Sequence, residues 1–181
     1  ERAQRLSTHL PAIKRWEMVG MFLVTTGGGL GLLSFGPLCE RIGRRRAFLV
    51  FHLGALMISV VSFQAVEGIG ALLVVLPVLG FLTLGMHAGY AIYFPELFPT
   101  RLRGTGAGFC FNVGRLFAAP VLVAQGWLRN DPGQGGWGLS MESAATMIAL
   151  LFLLGVALLP FAPETQGREL PEDPELTSPG P

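Results

Sequence analysis

The sequence predicts an all-α membrane protein, and three observations support this. The 181-residue chain is 51% hydrophobic with a mean hydropathy of +0.54. Only 14% of its residues are charged, whereas charged residues make up about a quarter of a typical soluble protein. Several long windows are almost free of charge, and a helix needs about 20 mostly apolar residues to cross a bilayer.

The charge-poor windows define five predicted spans. In chain order they cover residues 18–39, 47–66, 68–95, 104–128 and 143–163. The glycines and prolines within them do not oppose helices, because both are tolerated in membrane spans. Residues 17–163 are therefore predicted to form one helical bundle. Residues 1–16 are predicted to be a loop segment on the extracytoplasmic side, and the proline-rich, acidic residues 164–181 a disordered tail.

The distribution of basic residues predicts the orientation. With five spans, the loops at 40–46 and 96–103 lie on the same side as the tail, and together they carry seven arginines. The opposite side carries five lysines and arginines. Because cytoplasmic loops are enriched in these residues, the tail is predicted to be cytoplasmic, in a multi-pass protein of the cell membrane.

Several functions are excluded or unsupported. A net charge of +1 gives no broad electrostatic footprint for nucleic acid, and two cysteines in apolar surroundings do not make a disulfide scaffold. The sequence contains no Walker A, HExxH or CxxC pattern, so neither ATP drive, a metal site nor a cofactor is predicted. No nucleophile–base pair is evident either, and the protein is not expected to be an enzyme.

Three charged segments follow the first, third and fifth spans. They read G-P-L-C-E-R-I-G-R-R-R at 36–46, P-E-L-F-P-T-R-L-R-G-T-G at 95–106, and P-E-T-Q-G at 163–167. Taken alone, the first is a tight turn whose arginines set the topology.

Together, these segments resemble loop motifs of the major facilitator superfamily, in its sugar-porter and organic-ion-transporter branches. Glu40 stands where that family usually has aspartate, and Gln166 where it has lysine. The resemblance implies that the five spans are helices eight to twelve of a twelve-helix transporter. They would form most of its C-terminal six-helix bundle, with the N-terminal half of the same transporter as partner. The chain is accordingly expected to be part of a longer protein.

The resemblance also implies a cytoplasmic gate. Carboxylates and arginines at helix ends can pair when that side closes and separate when it opens, since each such pair contributes modestly. The implied gate residues are Glu40, Arg41, Arg44, Glu96, Arg103 and Glu164. The alternative for each is a solvated loop charge.

Arg115 lies near the middle of the fourth span. It is twelve residues beyond Arg103, about 18 Å along a helix. An arginine at this depth costs about 2.5–3.5 kcal/mol and usually faces a bundle interior or a wet cavity. A stripe of small or polar residues accompanies it at helical spacing: Thr105, Gly108, Asn112, Arg115 and Ala119. The stripe is expected to face protein or water.

Organic anion transporters of the same superfamily have an arginine at this spacing. The resemblance therefore implies an anionic substrate, and a guanidinium can bind a carboxylate through two hydrogen bonds. The alternative is an arginine that pairs with an acid on another helix. The predicted substrate-binding residues are Arg115, Asn112, His87 and Tyr90.

His87 and Tyr90 share a face of the third span with Thr83. His87 is a candidate for substrate binding or proton transfer, because a histidine pKa moves readily across neutral. A packed hydrogen-bonding histidine is the alternative.

The leading hypothesis is an alternating-access carrier of small organic anions with protons as the coupling ion. A sugar or polyol porter of the same fold is the alternative, and a non-transporting membrane receptor or scaffold is a third possibility.

Overall fold

The computed structural model describes residues 2–171, with side chains from residue 14 onward, and every regular element in this range is helical. The α-helices are α1 (Arg2–Ile42), α2 (Arg44–Gln64), α3 (Ile69–Glu96), α4 (Arg103–Arg129), α5 (Met141–Ala149) and α6 (Leu151–Leu158). Short 3₁₀ turns occupy Pro132–Gln134 and Leu159–Phe161. The all-α prediction is confirmed for this part of the chain.

Five helical segments are long and apolar enough to cross a membrane. They are Lys14–Ile42, Arg44–Gln64, Ile69–Glu96, Arg103–Arg129 and Met141–Phe161. They match the five predicted spans, with ends shifted by a few residues. The last span joins α5 and α6 through Leu150, whose φ of −60° and ψ of −18° keep it in the right-handed helical region.

Two segments differ from the sequence prediction. Helix α1 extends back to Arg2, into the predicted loop 1–16. Residues 2–6 are arginine, alanine, glutamine, arginine and leucine, and these good helix formers favour extension of an existing helix. The predicted disordered tail is ordered at its start, because residues 164–166 are hydrogen-bonded to the bundle. Residues 172–181 lie outside the described part of the chain.

Helices α1 and α3 pack closely and in parallel through glycines. A Cβ atom added at Gly27 would lie 1.9 Å from the carbonyl oxygen of Pro77, and one at Gly31 would lie 2.2 Å from that of Phe81. From the other side, a Cβ at Gly80 would lie 2.0 Å from the carbonyl oxygen of Val24. Only glycine permits such close contact, which is the usual way for membrane helices to pack tightly.

An aromatic core fills the space between α1, α2 and α3. Phe35 and Phe51 are almost completely buried, and their ring centroids lie 4.9 Å apart. Large apolar side chains are exposed along every span, as expected for surfaces that face lipid. Among the five spans, the one formed by α4 is the least enclosed, since Leu128 is its only buried residue.

Candidate functional site

The turns α1–α2 and α3–α4 meet the segment after the last span at one end of the bundle. We call this the charged end and define it as residues 40–46, 96–103 and 163–167. Arg44 and Glu96 form its centre. Arg44 Nη2 donates to Glu96 Oε1 at 2.7 Å, and Arg44 Nε donates to Oε2 at 3.2 Å. The two side chains are only 14% and 16% exposed, so this two-point ion pair is well shielded from solvent.

Glu164 binds the first turn of α2. Its Oε1 and Oε2 accept the backbone N–H groups of Arg44 at 2.9 Å and Arg45 at 3.1 Å. Partial burial raises the pKa of the carboxyl, but backbone donors from Arg44, Arg45, Gln166 and Thr165 outweigh it, so the pKa lies below its ordinary value of 4.5. A helix N-terminus also favours the negative charge.

Gly43 makes this arrangement possible. Its φ of 93° lies in the left-handed region, which favours glycine. An added Cβ would lie 2.9 Å from Glu164 Oε2 and 3.1 Å from Gln166 Oε1. The turn between α1 and α2 therefore needs a glycine both for its backbone conformation and for the approach of the Glu164 carboxylate.

Three further side chains attach the last segment to the bundle. Thr165 Oγ1 donates to Glu96 Oε2, and Gln166 Nε2 donates to the carbonyl oxygen of Glu40. Tyr93 Oη donates to the carbonyl oxygen of Pro163 at 2.7 Å. The segment after the last span thus bridges the ends of α1, α2 and α3, and we call residues 163–166 the locking segment.

The structure brings together three of the six predicted gate residues: Arg44, Glu96 and Glu164. Glu40 contributes its carbonyl oxygen, while its side chain is exposed. Arg41 is exposed, and within residues 14–171 its side chain has no hydrogen bond or ion pair. The Nε atom of Arg103 is buried without a hydrogen-bond partner in that range.

Sequence reasoning did not select Gly43, Tyr93, Thr165 or Gln166 as parts of this network. Gly43, Thr165 and Gln166 lie within the charged segments already recognised, so their position in the sequence could have identified them. No sequence signal marked Tyr93, because its partner is a backbone carbonyl seventy residues further along the chain.

Acidification is expected to weaken the attachment of the locking segment through Glu164. Because the pKa of Glu164 is lowered on folding, its stabilising effect is complete above the unfolded value and is lost as pH falls through the folded value, below 4.5. We expect the wild-type full-length protein to lose about 1 kcal/mol more stability than the Glu164→Gln variant between pH 7 and 3, a range that extends below the lowered pKa. Melting temperatures in detergent at each pH measure this difference.

Glu169→Gln is the matched control. Glu169 is exposed, and its substitution removes one carboxylate five residues further along the chain than Glu164. Its melting curve should retain the wild-type dependence on pH. Equal pH profiles for Glu164→Gln and wild type would contradict the stabilising role of the Glu164 charge.

The polar stripe of α4 lies beside the surface that packs on the rest of the bundle. Phe111 contacts Phe94 of α3 at a centroid distance of 5.2 Å, whereas Asn112 and Arg115 are exposed. Asn112 Nδ2 donates to the carbonyl oxygen of Gly108 at 2.8 Å. Within residues 14–171 no hydrogen bond or ion pair engages the Arg115 guanidinium.

His87, on the neighbouring helix α3, lies the same number of residues from its charged-end terminus as Asn112 does on α4. It precedes Glu96 by nine residues, just as Asn112 follows Arg103 by nine, which places both about 14 Å from the charged end. Arg115 is about one turn deeper. His87 is exposed, and its Nδ1 lies 3.2 Å from the carbonyl oxygen of Leu84. That contact leaves Nε2 available to another group.

Tyr90, the fourth predicted substrate-binding residue, lies one turn from His87 on α3. It lines an apolar cavity of about 640 Å³ between α2, α3, α4 and the last span, together with His52, Thr83 and Gln125. Arg115, Asn112 and His87 do not line this cavity.

Within residues 14–171 no group of three or more His, Cys, Asp or Glu side chains is placed to hold a metal ion.

Five apolar spans with exposed apolar surfaces define a multi-pass α-helical membrane protein. Residues 16–176 match the family model described as "Sugar (and other) transporter". The chain belongs to this family of the major facilitator superfamily, whose members are transporters rather than enzymes.

Curated relatives agree with this assignment. An inner membrane metabolite transport protein of Escherichia coli K12 is 31% identical over 146 residues, covering 77% of this chain and 33% of the relative. A cis,cis-muconate transport protein of Acinetobacter baylyi is 32% identical, covering 82% and 34%. The niacin transporter of the same species is 31% identical, covering 77% and 30%. The chain spans about a third of the length of these relatives.

Proposed function

We propose that this chain is the C-terminal part of a secondary active transporter that carries small organic carboxylates by alternating access. The proposal rests on the position of Arg115. It lies near the middle of α4, about 18 Å from the helix start, and the described part of the chain offers it no acidic partner. A mid-membrane guanidinium is costly, so a site that binds anions explains its presence.

The neighbours of Arg115 suit a small polar ligand. Asn112 on α4 and His87 on α3 are both exposed, and each lies nine residues from the helix end at the charged end. A carboxylate held by the guanidinium through two hydrogen bonds would lie within reach of both. The N-terminal half of the transporter would close this site from the other side. Tyr90 lies outside it, because its ring packs between α2 and α3 against Phe48 and Phe94.

The relatives support the choice of substrate class. Those named above transport cis,cis-muconate and niacin, and both compounds carry a carboxylate. Relatives at 31% and 32% identity to this chain thus support a carboxylate as the proposed substrate.

His87 is the proposed proton-binding residue. Its Nδ1 lies 3.2 Å from the Leu84 carbonyl oxygen, which leaves Nε2 as the proposed proton-binding atom. The side chain is close in depth to Asn112 and Arg115, and its protonation would add a second positive charge beside the substrate carboxylate. This arrangement links proton and substrate binding.

The charged end is the proposed cytoplasmic gate, with the tail on the cytoplasmic side. Arg44, Glu96 and Glu164 form the closed network, and the locking segment holds three helix ends together. Arg41, Arg103 and the Glu40 carboxylate remain proposed participants that pair with the N-terminal half. Separation of these groups would open the cytoplasmic side.

A sugar or polyol porter is the second candidate. The matched family model is named for sugar transporters, and P-E-T-Q-G at 163–167 is similar to the sugar-porter motif. Arg115 distinguishes the two candidates, since a neutral sugar gains little from a positive charge near the middle of a membrane span. A receptor or scaffold without transport is less favoured, because it needs neither the gate network nor a mid-membrane arginine.

Uptake by the full-length transporter in proteoliposomes tests the proposal. With an imposed pH gradient, labelled cis,cis-muconate and a labelled hexose are offered to wild type, Arg115→Ala and Arg115→Lys. We expect muconate uptake that falls about 30-fold in Arg115→Ala, the loss of about 2 kcal/mol of charge-assisted hydrogen bonding. Arg115→Lys should retain part of the activity, because it keeps the charge without the two-point geometry.

Arg129→Ala is the matched control, since this exposed arginine ends the same helix. Its uptake should equal that of wild type. Uptake of the hexose alone would favour the sugar porter, and normal muconate uptake by Arg115→Ala would assign the arginine a structural role. No uptake of either solute, in protein that remains folded, would favour the receptor.

A further inference from the structure

A groove runs between the start of α2 and the end of the last span on the outer surface of the bundle. We call it the α2–α6 groove. Its volume is about 630 Å³. Arg45 and Arg46 line the groove near the charged end, and Leu49, Val156 and Leu159 line its apolar wall. The proposed anion site and the cavity beside Tyr90 are lined by other residues.

The charges of the two arginines are not neutralised by any ion pair in the part of the chain whose side chains the structure describes. Within residues 14–171 neither guanidinium makes a hydrogen bond or ion pair. Glu164 also borders the groove, but its carboxylate oxygens accept the backbone N–H groups of Arg44 and Arg45. Two guanidinium groups therefore face one already occupied carboxylate, and the groove attracts anions.

The order of residues along the groove matches a membrane surface. Arg45 and Arg46 stand in the first turn of the span Arg44–Gln64, and Leu49 follows one turn further inward. Charged side chains thus lie at the level of lipid headgroups, and apolar ones at the level of acyl chains. A soluble anion has no use for the apolar wall, whereas a phospholipid matches both parts.

We propose that the α2–α6 groove binds an anionic phospholipid, with its phosphate between Arg45 and Arg46 and an acyl chain along Leu49, Val156 and Leu159. Guanidinium groups bind phosphate through paired hydrogen bonds, and basic pockets between membrane helices hold anionic headgroups. The inference goes beyond the proposed transport function and requires only the membrane fold.

Native mass spectrometry of the full-length protein tests this inference. The protein is released from detergent after incubation with equal amounts of phosphatidylglycerol and phosphatidylcholine. We expect a bound phosphatidylglycerol that resists dissociation and exceeds phosphatidylcholine. Arg45→Gln and Arg46→Gln should each lower the occupancy of phosphatidylglycerol about fivefold, because each removes one positive charge from the headgroup site. Both variants should keep the fold, since the locking segment contacts the backbone of this turn and not the two guanidinium groups.

Arg168→Gln is the control for a general charge effect, because it removes one exposed arginine that follows the locking segment and lies outside the groove. It should bind phosphatidylglycerol like wild type. Val156→Trp fills the apolar wall and should also lower the occupancy if the acyl chain lies there. Equal losses in Arg168→Gln and Arg46→Gln, or equal binding of both lipids by wild type, would overturn the proposal. So would displacement of the lipid by millimolar glycerol phosphate, which would show that a soluble anion suffices.

Discussion

Replacing Gly31 by alanine is expected to lower the stability of the protein by about 3 kcal/mol, at the upper end of typical overpacking. The new Cβ would lie 2.2 Å from the backbone carbonyl oxygen of Phe81. A backbone atom cannot move aside like the end of a flexible side chain, so α1 and α3 must separate. Heating the full-length protein in detergent, followed by size-exclusion chromatography, should show a melting temperature lower by about 6 °C.

Gly29→Ala provides the matched control on the same helix. Nothing lies within 4 Å of a Cβ at Gly29, and alanine favours a helix over glycine. This variant should melt at or above the wild-type temperature. Gly80→Ala approaches the same interface from α3 and should resemble Gly31→Ala. Equal melting temperatures for Gly29→Ala and Gly31→Ala would show that the helices do not pack as closely as described.

Removing one member of the Arg44–Glu96 pair is expected to cost about 2 kcal/mol, because each variant leaves a shielded charge without its partner. The two side chains are 14% and 16% exposed, so solvent compensates only in part. Arg44→Ala and Glu96→Ala should each melt at a lower temperature than wild type. Glu96→Ala also frees Thr165 Oγ1, which weakens the locking segment.

The double variant Arg44→Ala/Glu96→Ala measures the interaction itself. Its loss should be clearly smaller than the sum of the single losses, since neither charge is then left alone. Arg41→Ala is the control, because its exposed side chain should contribute within about 0.5 kcal/mol. Additive losses would mean that the ion pair does not form in solution, and a large effect of Arg41→Ala would extend the network to that residue.

Most of the fold followed from local sequence features. Span number and position depend on apolar length, which is a property of consecutive residues, and all five spans were found within a few residues. The charged segments were recognised because their residues are neighbours in sequence. The helical extension of α1 was not predicted, because flanking residues form a helix only when they continue an existing one.

The candidate site was only partly accessible from sequence. The stripe on α4 predicted that Arg115 and Asn112 share a face, because helical spacing is local. The same spacing placed Tyr90 beside His87, but it could not show which neighbours each side chain would meet. Tyr90 lines the apolar cavity between helices, whereas His87 is exposed and does not line it.

The sequence alone thus predicted the membrane class and the family resemblance, because both depend on residues close together in the chain. Only the tertiary structure decided that Glu164 caps α2 and that Thr165 reaches Glu96. It also decided that Gly31 touches the backbone of α3. These contacts join residues 50 to 120 positions apart, and no local pattern fixes the distance between such residues until the helices pack.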